Sequence, residues 1–367
     1  MIYNLGNTMQ SKDKILVVGG YGQVGRVICK DLGNKFPGNV VAAGRNYDKA
    51  EQFTRTTNGK VIPLEFDIFA DNNNNKILED ISVVVMCLDL NDTRFIEQCI
   101  DKGIHYIDIS ASYSFLSKIM SLDEKAKASG STIILSVGLS PGLTNLLVQY
   151  SKTQFDVLHR SDIFVLLGLG EEHGKAAIEW MVDNMHTTFE VSENGYKKQV
   201  KSLEDGKATL FSENFGNRIA YRFNFAEQHF LPVTLDIKRV SHRICFDSRL
   251  VTQSLAAFRK LGILNLLKLK PLRNAAVKMF ENIQFGSDAY VIKVDSSGKK
   301  DDKITEFKCS VIGRNQSEAT GKVAAVITES IYIKKHPSGV FHIEQIFTSS
   351  DIIDRLSEHI KFHTYDK

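Results

Sequence analysis

The sequence predicts an α/β protein in which an N-terminal doubly wound parallel sheet is followed by an inserted α+β domain, and C-terminal helices return to the first domain. Three observations support this. A strand, a glycine turn and the start of a helix run from Lys14 to Gly25, and strands alternate with helices as far as Ser136. Beyond about residue 155 the alternation gives way to hairpins. A helical pattern reappears from Gln316 to Tyr332.

The glycine turn follows a buried strand, Lys14 to Val18, and precedes a second strand, Asn39 to Arg45, at the spacing of a βαβ unit. Its G-x-G-x-x-G pattern permits a tight turn, close approach of a pyrophosphate and phosphate contacts at a helix N-terminus. The pattern predicts a dinucleotide-binding Rossmann domain; the alternative is a glycine turn in a nucleotide-free α/β domain. The expected contacts are Gly20, Tyr21, Gly22, Gln23, Val24 and Gly25.

The end of the second strand indicates which dinucleotide binds. NAD-selective domains usually place a carboxylate there, whereas this strand ends in Gly44, Arg45 and Asn46. A guanidinium can form a two-pronged contact with a 2′-phosphate. We therefore expect Arg45 and Asn46 to contact NADP in preference to NAD. Alternatively, Arg45 and Lys49 are solvated residues at a helix start.

The remaining strands of the first domain place further residues at the cofactor crevice, because ligands bind beyond the carboxyl ends of parallel strands. A third strand, 59–66, leads to Asp67 and Ile68 on the adenine side. A fourth, 81–87, leads to Cys87, Leu88 and Asp89 on the nicotinamide side. A fifth strand (104–109), a helix (115–129) and a sixth strand (132–136) complete the domain.

Candidate catalytic residues cluster at the end of the fifth strand. Asp108 could hold a substrate ammonium or a proton-relay group, Tyr113 could donate or accept a proton, and Ser110 lies between them. The alternative is that Asp108 and Ser110 only cap the next helix.

The second half is predicted to be mixed. It contains a strand (162–169), a helix with the only tryptophan (174–185), a hairpin (189–200), strands at 218–225 and 233–240, helices at 250–261 and 272–283, and a hairpin whose arms flank a charged loop (295–303). We expect a disordered lead-in (1–13), a Rossmann domain (14–143 with 316–367) and an α+β substrate and dimerisation domain (144–315). The expected assembly is a homodimer.

Composition excludes several classes of protein. The 367 residues carry a net charge of only +3, without a strongly basic block, so neither nucleic acid nor a membrane surface is an expected partner. The five cysteines are scattered without metal-binding spacing, and the histidines are isolated, so no metal site is expected. Reduced cysteines and a start without an apolar signal core predict a cytoplasmic protein. No Tyr-x-x-x-Lys pair occurs, so the relay of short-chain dehydrogenases is absent.

The chain resembles the saccharopine dehydrogenase family. The resemblance rests on Val18 to Gly25, Gly44-Arg45, Gly103 to Ser110, Gly138 to Leu143, and the late segment from Gly339 to Glu344. It implies a Rossmann domain with an inserted domain, and NAD(P)-dependent hydride transfer to or from the C–N centre of a small amino- or imino-acid-derived molecule.

One segment departs from that family. Saccharopine-forming members tend to carry Asp-Pro-Gly where this chain has Ser140-Pro141-Gly142, which argues against saccharopine as the substrate. Two alternatives stay open: reduction of a carbon–carbon double bond, as in enoyl-reductase-like members, and a non-catalytic NADP-binding sensor or scaffold.

Overall fold

The computed structural model describes residues 12–69, 74–282 and 285–365. The predicted lead-in (1–13) lies outside these ranges except for its last two positions. The described chain forms one parallel sheet and one mixed sheet, with helices packed against them. The predicted fold class is confirmed.

The first sheet has seven strands, one more than predicted. They are β1 (Lys14–Val18), β2 (Val40–Gly44), β3 (Val61–Glu65), β4 (Ile81–Met86), β5 (His105–Asp108), β6 (Thr132–Leu135) and β15 (Gly339–His342), numbered along the chain. All neighbours are parallel, in the spatial order β15-β6-β5-β4-β1-β2-β3. Alternate residues of β1 and β4 enter separate apolar clusters on the two faces, which explains their continuous apolar runs.

Seven helices of the described residues belong with this sheet. They are α1 (Gln23–Lys35), α2 (Tyr47–Arg55), α3 (Asn74–Ile77), α4 (Arg94–Asp101), α5 (Tyr113–Met120), α6 (Asp123–Ser129) and α12 (Gln316–Ile333). Helix α12 packs on α1, where a Cβ at Gly321 would lie 2.6 Å from the Cβ of Val27. The absence of a side chain at Gly321 therefore allows the two helices to approach closely.

The predicted single helix at 115–129 is wrong in one respect, because the structure has two helices, α5 and α6. The break falls at Ser121 and Leu122. Asp123 then begins α6, and its carboxylate accepts a 2.8 Å hydrogen bond from the backbone N–H of Val340 in β15. A contact with a strand from the far end of the chain thus fixes where the second helix starts.

The second sheet has nine strands. They are β7 (Val157–Leu167), β8 (Thr188–Glu193), β9 (Tyr196–Lys201), β10 (Lys207–Leu210), β11 (Asn217–Arg222), β12 (Arg239–Phe246), β13 (Ala289–Lys300), β14 (Lys303–Arg314) and β16 (Ile360–Tyr365). The main path runs β10-β11-β12-β7-β13-β14-β16, and the predicted hairpin β8–β9 joins at β12. Only β7 and β12 pair in parallel within this described sheet.

The remaining helices are α7 (Thr144–Lys152), α8 (Lys175–Asn184), α9 (Glu227–Thr234), α10 (Arg249–Lys260), α11 (Lys270–Asn282), α13 (Ile343–Ile346) and α14 (Ser349–Arg355), with a 3₁₀ helix at Ile263–Lys268. The strand predicted at 233–240 is wrong, because 227–234 form α9 and β12 starts only at 239. The β-branched pair Val233-Thr234 favoured a strand locally, but burial of Leu231 against the core stabilises the helix.

The charged loop predicted at 295–303 is also wrong. Strands β13 and β14 continue through it and turn only at Asp301 and Asp302, both of which have positive φ. Aspartate tolerates this conformation in two-residue hairpin turns. Ser296 and Gly298 lie on the buried face of the extended arm.

The C-terminal segment contributes one strand to each sheet. Within the strand-like piece predicted at 339–347, β15 pairs with β6 and is followed by α13. Strand β16 then pairs with β14 of the second sheet, so the end of the segment 316–367 does not lie with the Rossmann sheet as expected. Only Ile360 is buried in β16, a weak strand signal typical of an edge.

One apolar cluster runs between the two sheets. It includes Ile15 of β1, Val165 of β7 and Val323 of α12. No helix among the described residues is long and apolar enough to cross a lipid bilayer.

Candidate functional site

The glycine turn between β1 and α1 has the geometry of a phosphate cradle. A Cβ at Gly25 would lie 2.2 Å from the carbonyl oxygen of Gly19, and one at Gly20 would lie 2.7 Å from the Cα of Ala42. By contrast, a Cβ at Gly22 would meet only Gly19, at 3.1 Å. The backbone at Gly22 is therefore open to an approaching ligand.

Helix α1 starts at this turn without an acidic side chain in its first turn. Its free N–H groups and partial positive charge suit a phosphate. The Arg26 side chain donates a 2.7 Å hydrogen bond to the carbonyl oxygen of Tyr21, which fixes the turn. Gln23, Val24 and Gly25 line the cavity described below.

The end of β2 presents an exposed cation, Arg45. The Tyr21 ring covers Gly44, and its hydroxyl accepts a hydrogen bond from the Asn46 N–H at 3.2 Å. The Asn46 side chain caps α2 by accepting from the Lys49 N–H at 2.8 Å. Arg45 is exposed and forms no ion pair with any described residue. The residues present thus fit a 2′-phosphorylated dinucleotide.

Asp67 and Ile68 follow β3, which lies beside β2 at the edge of the sheet. The Asp67 carboxylate accepts from the Phe69 N–H at 3.0 Å, and Ile68 packs against an apolar cluster. Neither residue lines the cavity. Their position remains compatible with the adenine end of a dinucleotide.

A cavity of about 410 Å³ opens between the carboxyl ends of β1, β4 and β5 and one face of the second sheet. Cys87, Leu88 and Asp89 line it, as does Ser110. Burial raises the pKa of the Cys87 thiol to about 12, with a smaller contribution from Asp108, so the thiol is neutral at pH 7. Burial, assisted by the charge of Glu179, also raises the pKa of Asp89.

Asp108 lies beneath the cavity rather than on its wall. It is 1% exposed, and its carboxylate accepts from the Tyr106 hydroxyl at 2.9 Å and from the Ser110 N–H at 2.7 Å. Burial raises the pKa of Asp108 to about 7, although both hydrogen bonds oppose the change. Asp108 therefore positions Ser110, and Ser110 is the member of the predicted cluster that faces the cavity.

Tyr113 does not reach the cavity. Its ring is 40% exposed and stacks on His229 of α9 at a centroid distance of 4.2 Å, with Phe230 at 5.0 Å. The structure thus does not support a direct proton-transfer role for Tyr113, because packing against α9 turns the ring away from the strand ends. Sequence proximity to Asp108 alone had suggested that role.

The far wall of the cavity is apolar and was not predicted. It is formed by side chains of β7, β12, α8 and α11 and by the residues after β11: Val165, Leu167, Ile178, Trp180, Met181, Phe223, Phe225, Ile244, Phe246 and Phe280. The Trp180 ring contacts Phe225 and Phe223 at centroid distances of 4.8 and 5.8 Å. Phe223 and Phe225 fall within the strand predicted at 218–225, but nothing local indicated what their side chains contact.

A buried acid–base pair lies behind Ser140 and was also missed. The Ser140 hydroxyl, which lines the cavity, donates to the Glu227 carboxylate at 2.8 Å. Nδ1 of His242 lies 3.0 Å from the same carboxylate, and both side chains are fully buried. Burial opposes ionisation of Glu227, but His242, a backbone hydrogen bond and the Ser140 hydroxyl together outweigh it and hold the pKa of Glu227 below its usual value. The sequence suggested that His242 is isolated. The structure instead pairs it with Glu227.

Among the described residues, no group of three or more His, Cys, Asp or Glu side chains could hold a metal ion.

Comparison with known proteins agrees with this geometry. Residues 15–134 match the family model of the saccharopine dehydrogenase NADP binding domain, which confirms the family resemblance for that part of the chain. The chain is similar in fold to apo saccharopine dehydrogenase (L-Glu forming) from Saccharomyces cerevisiae, with 13% identity, a TM-score of 0.67, and coverage of 96% of this chain and 100% of that one. It also matches DAP dehydrogenase from C. glutamicum in complex with DAP, at 11% identity, a TM-score of 0.47, and coverage of 95% and 99%.

Proposed function

We propose that the protein is an NADP-dependent oxidoreductase. The match of residues 15–134 to a saccharopine dehydrogenase NADP binding domain supports this proposal. The observation that carries the proposal is the cavity of about 410 Å³, which is continuous from the glycine turn to the second sheet. A dinucleotide with its phosphates at Gly22 and α1 would direct its reactive ring toward Leu88 and Ser110. A substrate on the far wall would then meet that ring.

When bound, NADPH supplies a hydride from its nicotinamide ring and leaves as NADP⁺. The carbon that accepts the hydride has to lie at the inner end of the cavity, near Leu88, Ser110 and Ser140. The electron pair displaced from its double bond then takes up one proton. The hydroxyls of Ser110 and Ser140 line this end of the cavity and can donate that proton, which solvent then replaces. The Ser110 backbone N–H donates to Asp108 and the Ser140 hydroxyl donates to Glu227, so both serines are held in position.

The reaction at a C–N centre, implied by the family resemblance, remains a prediction. Reduction of a carbon–carbon double bond is a second candidate, and the apolar far wall favours it because such a substrate need not carry a charge. A non-catalytic sensor is less well supported, since hydroxyls and Asp89 line the cofactor end of an open cavity. A homodimer built on the second sheet also remains a prediction.

Cofactor binding can be measured by energy transfer from Trp180, the only tryptophan, to the reduced nicotinamide. We expect NADPH to quench Trp180 emission at lower concentration than NADH. Arg45→Ala should weaken NADPH binding by about ten- to a hundredfold, because a charge-assisted contact contributes roughly 1.5–3 kcal/mol. NADH binding should be nearly unchanged.

Arg55→Ala is the matched control, since Arg55 is an exposed arginine at the other end of α2 that pairs only with Glu51 among the described ion pairs. Equal weakening of NADPH and NADH binding by Arg45→Ala would refute the 2′-phosphate assignment. Absence of binding of either cofactor to the unaltered protein would refute the proposed function itself.

A further inference from the structure

We propose that the substrate is an uncharged, largely apolar molecule with one polar reducible group, and not an amino acid or a dicarboxylic acid. This proposal rests on the proposed function and specifies the substrate class of the same cavity. It follows from three features of the described cavity residues: the apolar far wall, the lack of an arginine or a buried lysine that could bind a carboxylate, and the hydroxyl groups at the carboxyl ends of the first sheet's strands.

The far wall offers aromatic and aliphatic surface only. Phe225, Phe246 and Phe280 line the cavity and are each 8% exposed or less, and Phe223 in the same lining is fully buried. Apolar ligand surface buried against this wall gains free energy in proportion to its area. A carboxylate or ammonium placed against the same wall would lose its hydration without a hydrogen-bond partner.

Binding of a carboxylate would need a fixed cation. No arginine is among the described residues that line the cavity, and the only lysine there is Lys175. Its side chain is 71% exposed and lies 3.9 Å from the Glu179 carboxylate, so it is solvated and partly neutralised. Arg222 is fully buried, donates to Gln228 at 3.0 Å and faces Glu193, so it is engaged in the core.

The cavity also contains a carboxyl group. Asp89 lines the end next to the glycine turn and would repel an anionic substrate when ionised. Ser110 and Ser140, which follow β5 and β6, and Thr320, which lies against Gly138, offer hydroxyls to the cavity. His173, Gln316 and Ser317 also line it, and the Gln316 amide donates to the Gly168 carbonyl at 3.5 Å. A carbonyl group or a conjugated double bond can therefore point toward the hydroxyls while the rest of the molecule lies against the aromatic wall.

Entry is through the start of α8. Lys175, Ala176 and Ala177 are exposed and yet line the cavity, so they form its mouth. A larger side chain at Ala177 would narrow this mouth without replacing a core residue. Ala257 on α10 is an exposed alanine that does not line the cavity, and it provides a matched control.

The test is a titration of the full chain, with saturating NADP⁺ and without it, followed by Trp180 fluorescence. The probes are the apolar ketone nonanone and the unsaturated ketone nonenone, compared with oxoglutarate and lysine. We expect saturable quenching by the two ketones only. Ala177→Phe should weaken their binding by about tenfold or more, whereas Ala257→Phe should not.

Saturable binding of oxoglutarate or lysine in competition with the ketones would overturn the proposal, as would ketone binding that Ala177→Phe leaves unchanged. Absence of saturable ketone binding would also overturn it. Energy transfer from Trp180 to NADPH, measured on separate samples of the same protein preparation without a probe, separates this outcome from failure of the proposed function. Circular dichroism of both variants establishes that they are folded, and the comparison of probes on the unaltered chain decides the question independently of either variant.

Discussion

Replacing Asp108 by asparagine should change how the stability of the protein depends on pH. Burial raises the pKa of Asp108 from 3.8 to about 7 in the folded chain. The folded state therefore binds a proton that the unfolded chain has released, over the range from about pH 4 to pH 7. The corresponding stability is fully present below pH 4 and is lost as the pH rises through about 7.

The size of the effect follows from the two pKa values. One pKa unit corresponds to about 1.4 kcal/mol, so ionisation of Asp108 lowers the free energy of unfolding by on the order of 4 kcal/mol between pH 4 and pH 8. In Asp108→Asn the amide oxygen can still accept from the Ser110 N–H, and the amide can donate to the Tyr106 hydroxyl. We therefore expect the variant to gain stability relative to the unaltered protein as the pH rises.

The assay is urea unfolding of both proteins at intervals from pH 4 to pH 8, with the difference in free energy of unfolding plotted against pH. Asp123→Asn is a control of opposite sign. Burial raises the pKa of Asp123, but Lys127 and the Val340 N–H outweigh it and lower the pKa. Asp123→Asn should therefore lose stability at neutral pH and recover it in acid. A flat difference for Asp108→Asn would show that Asp108 ionises normally and would refute the reasoning.

Two further substitutions test the turn and the buried pair. Gly25→Ala should abolish NADPH binding and lower the free energy of unfolding by about 1–3 kcal/mol, because its Cβ meets the Gly19 carbonyl at 2.2 Å. Gly174→Ala is the control and should retain the stability of the unaltered protein, because a Cβ there meets nothing within 4 Å. Equal urea midpoints for Gly25→Ala and Gly174→Ala would contradict the predicted steric clash at Gly25. Glu227→Ala should cost about 3–5 kcal/mol because it leaves His242 buried without its partner, and Glu227→Gln should cost less. An alanine effect below about 1 kcal/mol in urea unfolding would show that the pair contributes little.

The first sheet could be predicted because its signals are local. Each of its first six strands is an apolar run followed by turn residues, and the glycine turn requires its residue types for steric reasons visible at Gly25 and Gly20. The same logic placed Leu88 and Ser110 correctly at strand ends beside the cavity. For these residues, chain direction and the parallel sheet were sufficient.

The substrate end could not be predicted because its contacts join distant parts of the chain. Ser140 meets Glu227 across 87 positions, and the helix that carries Glu227 begins just before the segment predicted as a strand. Tyr113 was expected at the site because it follows Asp108 closely, yet its direction depends on His229. Such residues meet only in the folded protein. Their contacts therefore cannot be predicted from a local periodicity or motif.

The C-terminal segment contributes a strand to each of the two sheets, and this limits how the protein can be truncated into separate domains. Strand β15 completes the first sheet beside β6, and β16, which follows after α13 and α14, completes the second beside β14. A fragment that ends after β6 would make β6 an exposed edge strand. Its unpaired backbone N–H and C=O groups could then pair with another copy of the fragment. A single truncation therefore does not separate the two sheets. An intact dinucleotide-binding domain would require α12 and β15 to be joined to the N-terminal segment through a new linker.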